Sequence, residues 1–99
     1  MSHAMDSDRR IVTKMRRMLL DGESVPTVLR EVQRATQVEQ SNRLVPFCYL
    51  MDAFLLSLTI VQEAGDWCGF GDTGVTDAEI HKLLIGPILS NRDKWSAEL

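Results

Sequence analysis

Apolar residues recur at intervals of three and four along nearly the whole chain, and no stretch alternates as a half-buried strand would. That periodicity restricts the fold to helices packed on helices, because each apolar stripe must be buried against another element. Ile11, Met15, Met18 and Leu19 define a first stripe, interleaved with Arg9, Arg10, Lys14, Arg16 and Arg17. Ser7 is placed to cap this helix and Asp21-Gly22 to end it. A second helix opens with Ser24 as N-cap and Pro26 in its first turn, followed by Val25, Val28, Leu29, Val32 and Ala35 on one face. It runs out in the polar stretch 36–42.

The segment from Pro46 to Leu58 is apolar on several faces, with Phe47, Leu50, Met51, Phe54 and Leu58 on its main stripe, and predicts a central, mostly buried helix. Ser57 as an N-cap and Gly65 as a stop predict a break near residue 56 and a separate short helix. The last helix has the strongest local signature. Thr76 and Glu79 form a capping box, with Val75 and Ile80 spaced as a hydrophobic staple. Ile80, Leu83 and Leu84 supply its buried stripe. Gly86-Pro87 predicts a kink or an end, since proline cannot donate to the carbonyl four residues back. The helix then resumes, with Ile88 and Trp95 packing inward.

The expected fold is therefore all-α, a compact bundle of four to five helices with one longer Gly-rich loop at 65–75. Residues 6–99 make a single helical domain, and residues 1–5, containing MSHA, read as an expression scar or disordered N terminus. A composition of 44% hydrophobic and 25% charged residues suits a globular domain and is too apolar for a disordered chain. Cys48 and Cys68 are too few for a disulfide scaffold and are expected as reduced thiols, Cys48 as a buried small hydrophobe. The first ten residues are too polar for a signal peptide, and Pro46, Asp52, Ser57 and Thr59 interrupt the apolar run Leu44 to Val61. A cytoplasmic protein without a membrane span follows as the expectation.

The stretch GFGDTG, residues 69–74, resembles two enzyme motifs. Its glycines fit a dinucleotide-binding turn, which needs a strand before it; the preceding segment is helical, and Asp72, Asp77 and Glu79 would repel a phosphate. Asp72-Thr73-Gly74 is also the tripeptide that carries the catalytic carboxylate in aspartic proteases. That chemistry needs two carboxylates on a β scaffold, and here a capped helix follows directly. His81 is the only histidine outside the MSHA segment, and Cys48, Cys68 and His81 lack ligand-pair spacing for zinc. Neither a catalytic residue, a cofactor nor a metal is expected.

Charge divides the chain. Residues 1–49 hold eight Lys/Arg and six Asp/Glu, residues 50–99 three and eight, and no Lys or Arg falls between Arg43 and Lys82. The acidic half predicts a basic protein partner, with Asp66, Trp67, Phe70, Asp72, Asp77 and Glu79 as the contact set: aromatics as anchors and carboxylates as the steering rim. The alternative for Trp67 and Phe70 is a place in the core. A nucleic-acid partner bound through the basic first helix is disfavoured by the overall charge of -3. A homodimer seam built on Leu55, Leu56 and Leu58 is a third expectation.

The segments YLMDAFLLSLTIVQEAGDW and VTDAEIHKLLIGPILSNRDKW, together covering most of 49–95, resemble small bacterial immunity proteins of polymorphic or contact-dependent toxin systems. The similarity lies in an apolar helix, an Ala/Gly-ended short helix, a Trp, and a final helix ending in Trp95. What the resemblance implies is a short acidic cytoplasmic protein, without catalytic residues, that neutralises a basic toxin domain by binding it.

Overall fold

Asp8, not Ser7, starts the first helix. In the computed structural model, which describes residues 7–98, the Asp8 carboxylate accepts from the Arg10 N–H at 2.8 Å, and α1 spans Arg9–Leu20. The expected scar at residues 1–5 lies outside the described residues. Helix α2, Val25–Thr36, begins where its signals place it, with the Ser24 hydroxyl accepting from the Thr27 N–H. Helix α3 is Leu44–Phe54, and the chain turns at Leu55 before Ser57 caps α4, Leu58–Gln62. Helix α5, Asp77–Ser90, carries both bonds of the Thr76–Glu79 capping box, and α6 is Arg92–Ser96. The fold is all-α, and α4 and α6 are single short helices of five residues each. No helix among the described residues is long and apolar enough to cross a membrane.

Two expectations for α5 need correction. Of the kink or end expected at Gly86-Pro87, the end does not occur: the helix continues through Pro87 to Ser90. Pro87 deprives the Leu83 carbonyl of its donor, but Leu83 lies on the exposed side, where water can replace that bond. For the same reason Leu83 is not in the buried stripe, which is Ile80, Leu84 and Ile88. Leu58, expected on the central stripe, is instead exposed on α4 because the break turns it outward.

One continuous core draws on every helix, with Val12 and Met15 from α1, Leu29 and Val32 from α2, Leu50 and Phe54 from α3, Val61 from α4, Ile80 and Leu84 from α5 and Trp95 from α6. Trp95 packs edge-on against Phe54, and its indole N–H reaches the Ile88 carbonyl at 2.8 Å. That carbonyl, near the end of α5, also accepts the Asn91 N–H at 3.2 Å, so the indole adds a second donor to it. The radius of gyration, 12.4 Å, is what a close-packed chain of this length has.

The end of α3 is held unusually well. Its last carbonyls have no intrahelical donor. Arg16 of α1 donates to Ala53 O at 2.8 Å and Asp52 O at 3.4 Å, while the Asn91 amide donates to Phe54 O at 3.2 Å and Leu55 O at 3.0 Å. Four successive carbonyls are thus satisfied by two side chains from two other elements. Arg16 is 1% exposed and lies 3.5 Å from the Glu98 carboxylate, so it is a buried capping group and not part of a solvated basic face.

Candidate functional site

The loop 65–75 is pinned rather than free. Its ends close on each other: Val75 N–H donates to Asp66 O at 2.9 Å, and Cys68 N–H donates to Val75 O at 2.8 Å. Between them, Cys68–Phe70 form one tight helical turn. Trp67 and Phe70 point inward, stacked edge to face at 5.1 Å, with Phe47 of α3 against Phe70 at 5.7 Å. Both loop aromatics are buried, which corrects their expected role as exposed anchors. The physical reason is area: a loop this small can cover the end of the bundle only by spending its two large rings on it.

The glycines follow from that packing. A Cβ on Gly69 would sit 2.3 Å from the Trp67 ring, so only glycine lets the indole lie across the turn. Gly71 ends the turn at φ 92, a conformation that side-chain-bearing residues rarely adopt. At Gly74 a Cβ would meet the Asp66 side chain at 2.6 Å, so the spacing that resembles a phosphate cradle has three separate local causes: the Trp67 ring, a left-handed turn and the Asp66 side chain.

The carboxylates of the loop and of the α5 start are also engaged internally. Asp77 takes both arms of the Arg30 guanidinium at 2.9 Å, the Trp67 indole N–H at 2.9 Å and the Cys68 thiol at 3.4 Å. These donors, Arg30 first and Trp67 next, hold the Asp77 carboxyl at about 2. Arg30 also lies over the Trp67 ring, 5.0 Å from its centroid. Asp72 is paired with Arg43, whose guanidinium sits over Phe70 and donates to Gly65 O. Gln33 donates to Gly69 O at 3.1 Å. Arg30, Gln33 and Arg43, all from α2 or the α2–α3 connection, therefore fasten the loop. Glu79 is occupied at the helix cap, where its carboxylate accepts from Thr76 N–H at 3.1 Å, though it remains exposed. Of the six expected contact residues, Asp66 alone is exposed without a side-chain partner among the described residues.

The basic half is neutralised in the same way. Glu31 binds Arg34 and Lys14, which hold its carboxyl at about 2, and Arg10 folds back on Asp8. Arg9 lies 3.6 Å from Glu98. Among the described residues Asp21, Glu23, Glu39, Asp52, Glu63, Asp66, Glu79 and Asp93 pair with no cation, against Arg17, Lys82, Arg92 and Lys94 on the other side. Pairing leaves the surface more one-sided than the formal charge suggests, and Asp52, Glu63 and Asp66 fall in one stretch of chain.

His81 does a task that sequence reasoning missed. Its Nδ1 accepts from Val25 N–H at 3.1 Å, so a side chain of α5 satisfies an orphan donor at the start of α2. No sequence signal marks that, because the two residues are 56 apart. Cys48 is half-buried, and burial together with the nearby Asp52 pushes its thiol pKa up. Both thiols are free. No family model, curated protein or solved structure matches this chain.

Proposed function

We propose that this is a non-catalytic binding protein that recognises a basic protein partner through its unpaired acidic surface, acting as an immunity protein that masks a toxin nuclease-like domain. The observation that carries the proposal is the excess of unpaired acids. Internal pairs consume most of the cations, and Asp52, Glu63 and Asp66 stay exposed and unpaired in a stretch of chain, 44–81, that holds no Lys or Arg. Such a surface steers a basic groove at long range and asks for no chemistry from the chain itself. The contact set moves accordingly, from Trp67, Phe70, Asp72 and Asp77, which hold the fold, to the exposed carboxylates of Asp52, Glu63 and Asp66. A nucleic-acid role for α1 loses its support, since Arg16 is buried and Arg10 and Lys14 are already paired.

Affinity capture from the organism that encodes the chain tests this, using the wild type and the triple variant Asp52→Lys, Glu63→Lys, Asp66→Lys as parallel baits. The expected result is a basic protein retained by the wild type and lost from the variant, with the loss sharper as salt is lowered. Retention of the same partner by both baits, or of nucleic acid alone, overturns the proposal.

A further inference from the structure

The corner between α3 and α4 combines four features that folding alone does not require. Leu55 sits at φ 57, ψ 40, the left-handed conformation that glycine or asparagine fills at most helix ends. A leucine there is strained, and it is also 41% exposed. Leu58 begins α4 at 53% exposure, so two large apolar side chains are displayed three residues apart, with Ser57 and Thr59 exposed beside them. The corner is rigid, because Arg16 and Asn91 bind the four carbonyls that lead into it. Finally, exposed Asp52 and Glu63 flank it along the chain, and neither is paired among the described residues.

Resting on the function proposed above, we infer that this corner is the docking point for the basic partner, whose apolar anchor seats on Leu55 and Leu58 while lysines or arginines around that anchor meet Asp52 and Glu63. Charge decides the occupant. Asp52 and Glu63 outnumber Arg92, the unpaired cation next to Asn91, so a second copy of this chain would bring net like charge to the same place and oppose closure. A partner with an apolar centre in a cationic rim meets both features at once. Rigid display removes the ordering cost that a flexible loop would carry, so the patch can be small and still bind.

The test is a magnetic-resonance titration of the labelled chain with a short amphipathic helical peptide of lysine and leucine. A glutamate-for-lysine peptide and a serine-for-leucine peptide serve as controls. The expected result is amide shifts centred on residues 52–63 for the first peptide only. The double variant Leu55→Gly, Leu58→Ser and, separately, Asp52→Lys, Glu63→Lys should each weaken that binding about tenfold or more, the loss typical of one interface hot spot. Shifts centred on α1 and α2 overturn the inference, as does a wild-type dimer in sedimentation that the leucine variants dissolve. If charge reversal weakens binding and the leucine changes do not, the corner is refuted while the acidic-partner proposal stands. If charge reversal has no effect, both fall. Because glycine relieves the strain at residue 55, the thermal midpoint of Leu55→Gly alone checks that any lost binding is not lost folding.

Discussion

Replacing Asp77 removes the hub on which α2, the 65–75 loop and α5 converge, and the structure sets the size of the effect. Two contributions overlap, because the Trp67 N–H is itself one of the donors that lower the carboxyl. The lowering of the carboxyl from 3.8 to about 2 is equivalent to ~2.4 kcal/mol for a fully buried group, and with the side chain 47% exposed, solvent screening reduces that to about 1 kcal/mol. The second is the Trp67 indole N–H, which belongs to a fully buried ring and loses its acceptor, a loss of about 1–3 kcal/mol. Since the Trp67 bond enters both, Asp77→Ala should destabilise by roughly 1–3 kcal/mol. Asp77→Asn keeps an amide oxygen for the indole and loses chiefly the Arg30 pair, so it should lose about 1 kcal/mol. Urea unfolding followed by tryptophan fluorescence reads both, with a midpoint shift on the order of 1–2 M for the alanine variant. The pH dependence carries its own sign. A carboxyl held below its unfolded value contributes stability that is complete above pH ~4 and is lost as pH falls toward about 2, and Asp77→Asn should flatten that part of the wild-type curve. An alanine variant within 0.5 kcal/mol of wild type, to within about the error of such measurements, or an asparagine variant with an unchanged acid limb, refutes the hub.

Other outcomes follow from the same geometry. Gly69→Ala places a methyl into the Trp67 ring and should destabilise by about 1–3 kcal/mol by overpacking, with a shift in tryptophan emission measured alongside. Arg16→Ala leaves the Ala53 and Asp52 carbonyls without their capping donor and should lower stability by roughly 2–4 kcal/mol in thermal or urea unfolding, far more than Arg17→Ala, which should stay within about 0.5 kcal/mol. Thr76→Ala breaks the capping box and should lose about 1 kcal/mol, visible as early amide exchange in the first turn of α5. Trp95→Ala empties the space against Phe54 and should lose about 3–5 kcal/mol, enough to unfold a marginal chain of this size in a thermal scan.

Most of the architecture was legible because it rests on local chemistry. Ser24, Ser57 and Thr76 cap the helices their positions announce, and the break after Phe54 needed only Ser57 to be seen. Arg16 was legible too: it lies in the stripe of Val12, Met15 and Leu19, and helical spacing alone puts it inward. What hid it was the run of cations around it, Arg9, Arg10, Lys14 and Arg17, with which it was grouped. Pro87 misled in the opposite direction, since a missing donor matters little when the orphaned carbonyl faces water. The loop was the least legible part. Asp72 and Asp77 look available in sequence, and their partners Arg43 and Arg30 lie 29 and 47 residues away, beyond any local pattern. Leu55 and the Val25–His81 bond were silent for the same reason, because a left-handed leucine and a cross-helix cap exist only once the helices are packed.

The central claim is that the unpaired acids of the second half make the contact and the cations of the first helix do not. Calorimetric titration of the captured partner against two charge-reversal variants in parallel tests it most directly. The variant Asp52→Lys, Glu63→Lys, Asp66→Lys should bind at least about 100-fold more weakly than wild type, and Arg9→Glu, Arg17→Glu within about threefold of it. The reverse order, with the α1 variant crippled and the acidic variant intact, contradicts the account.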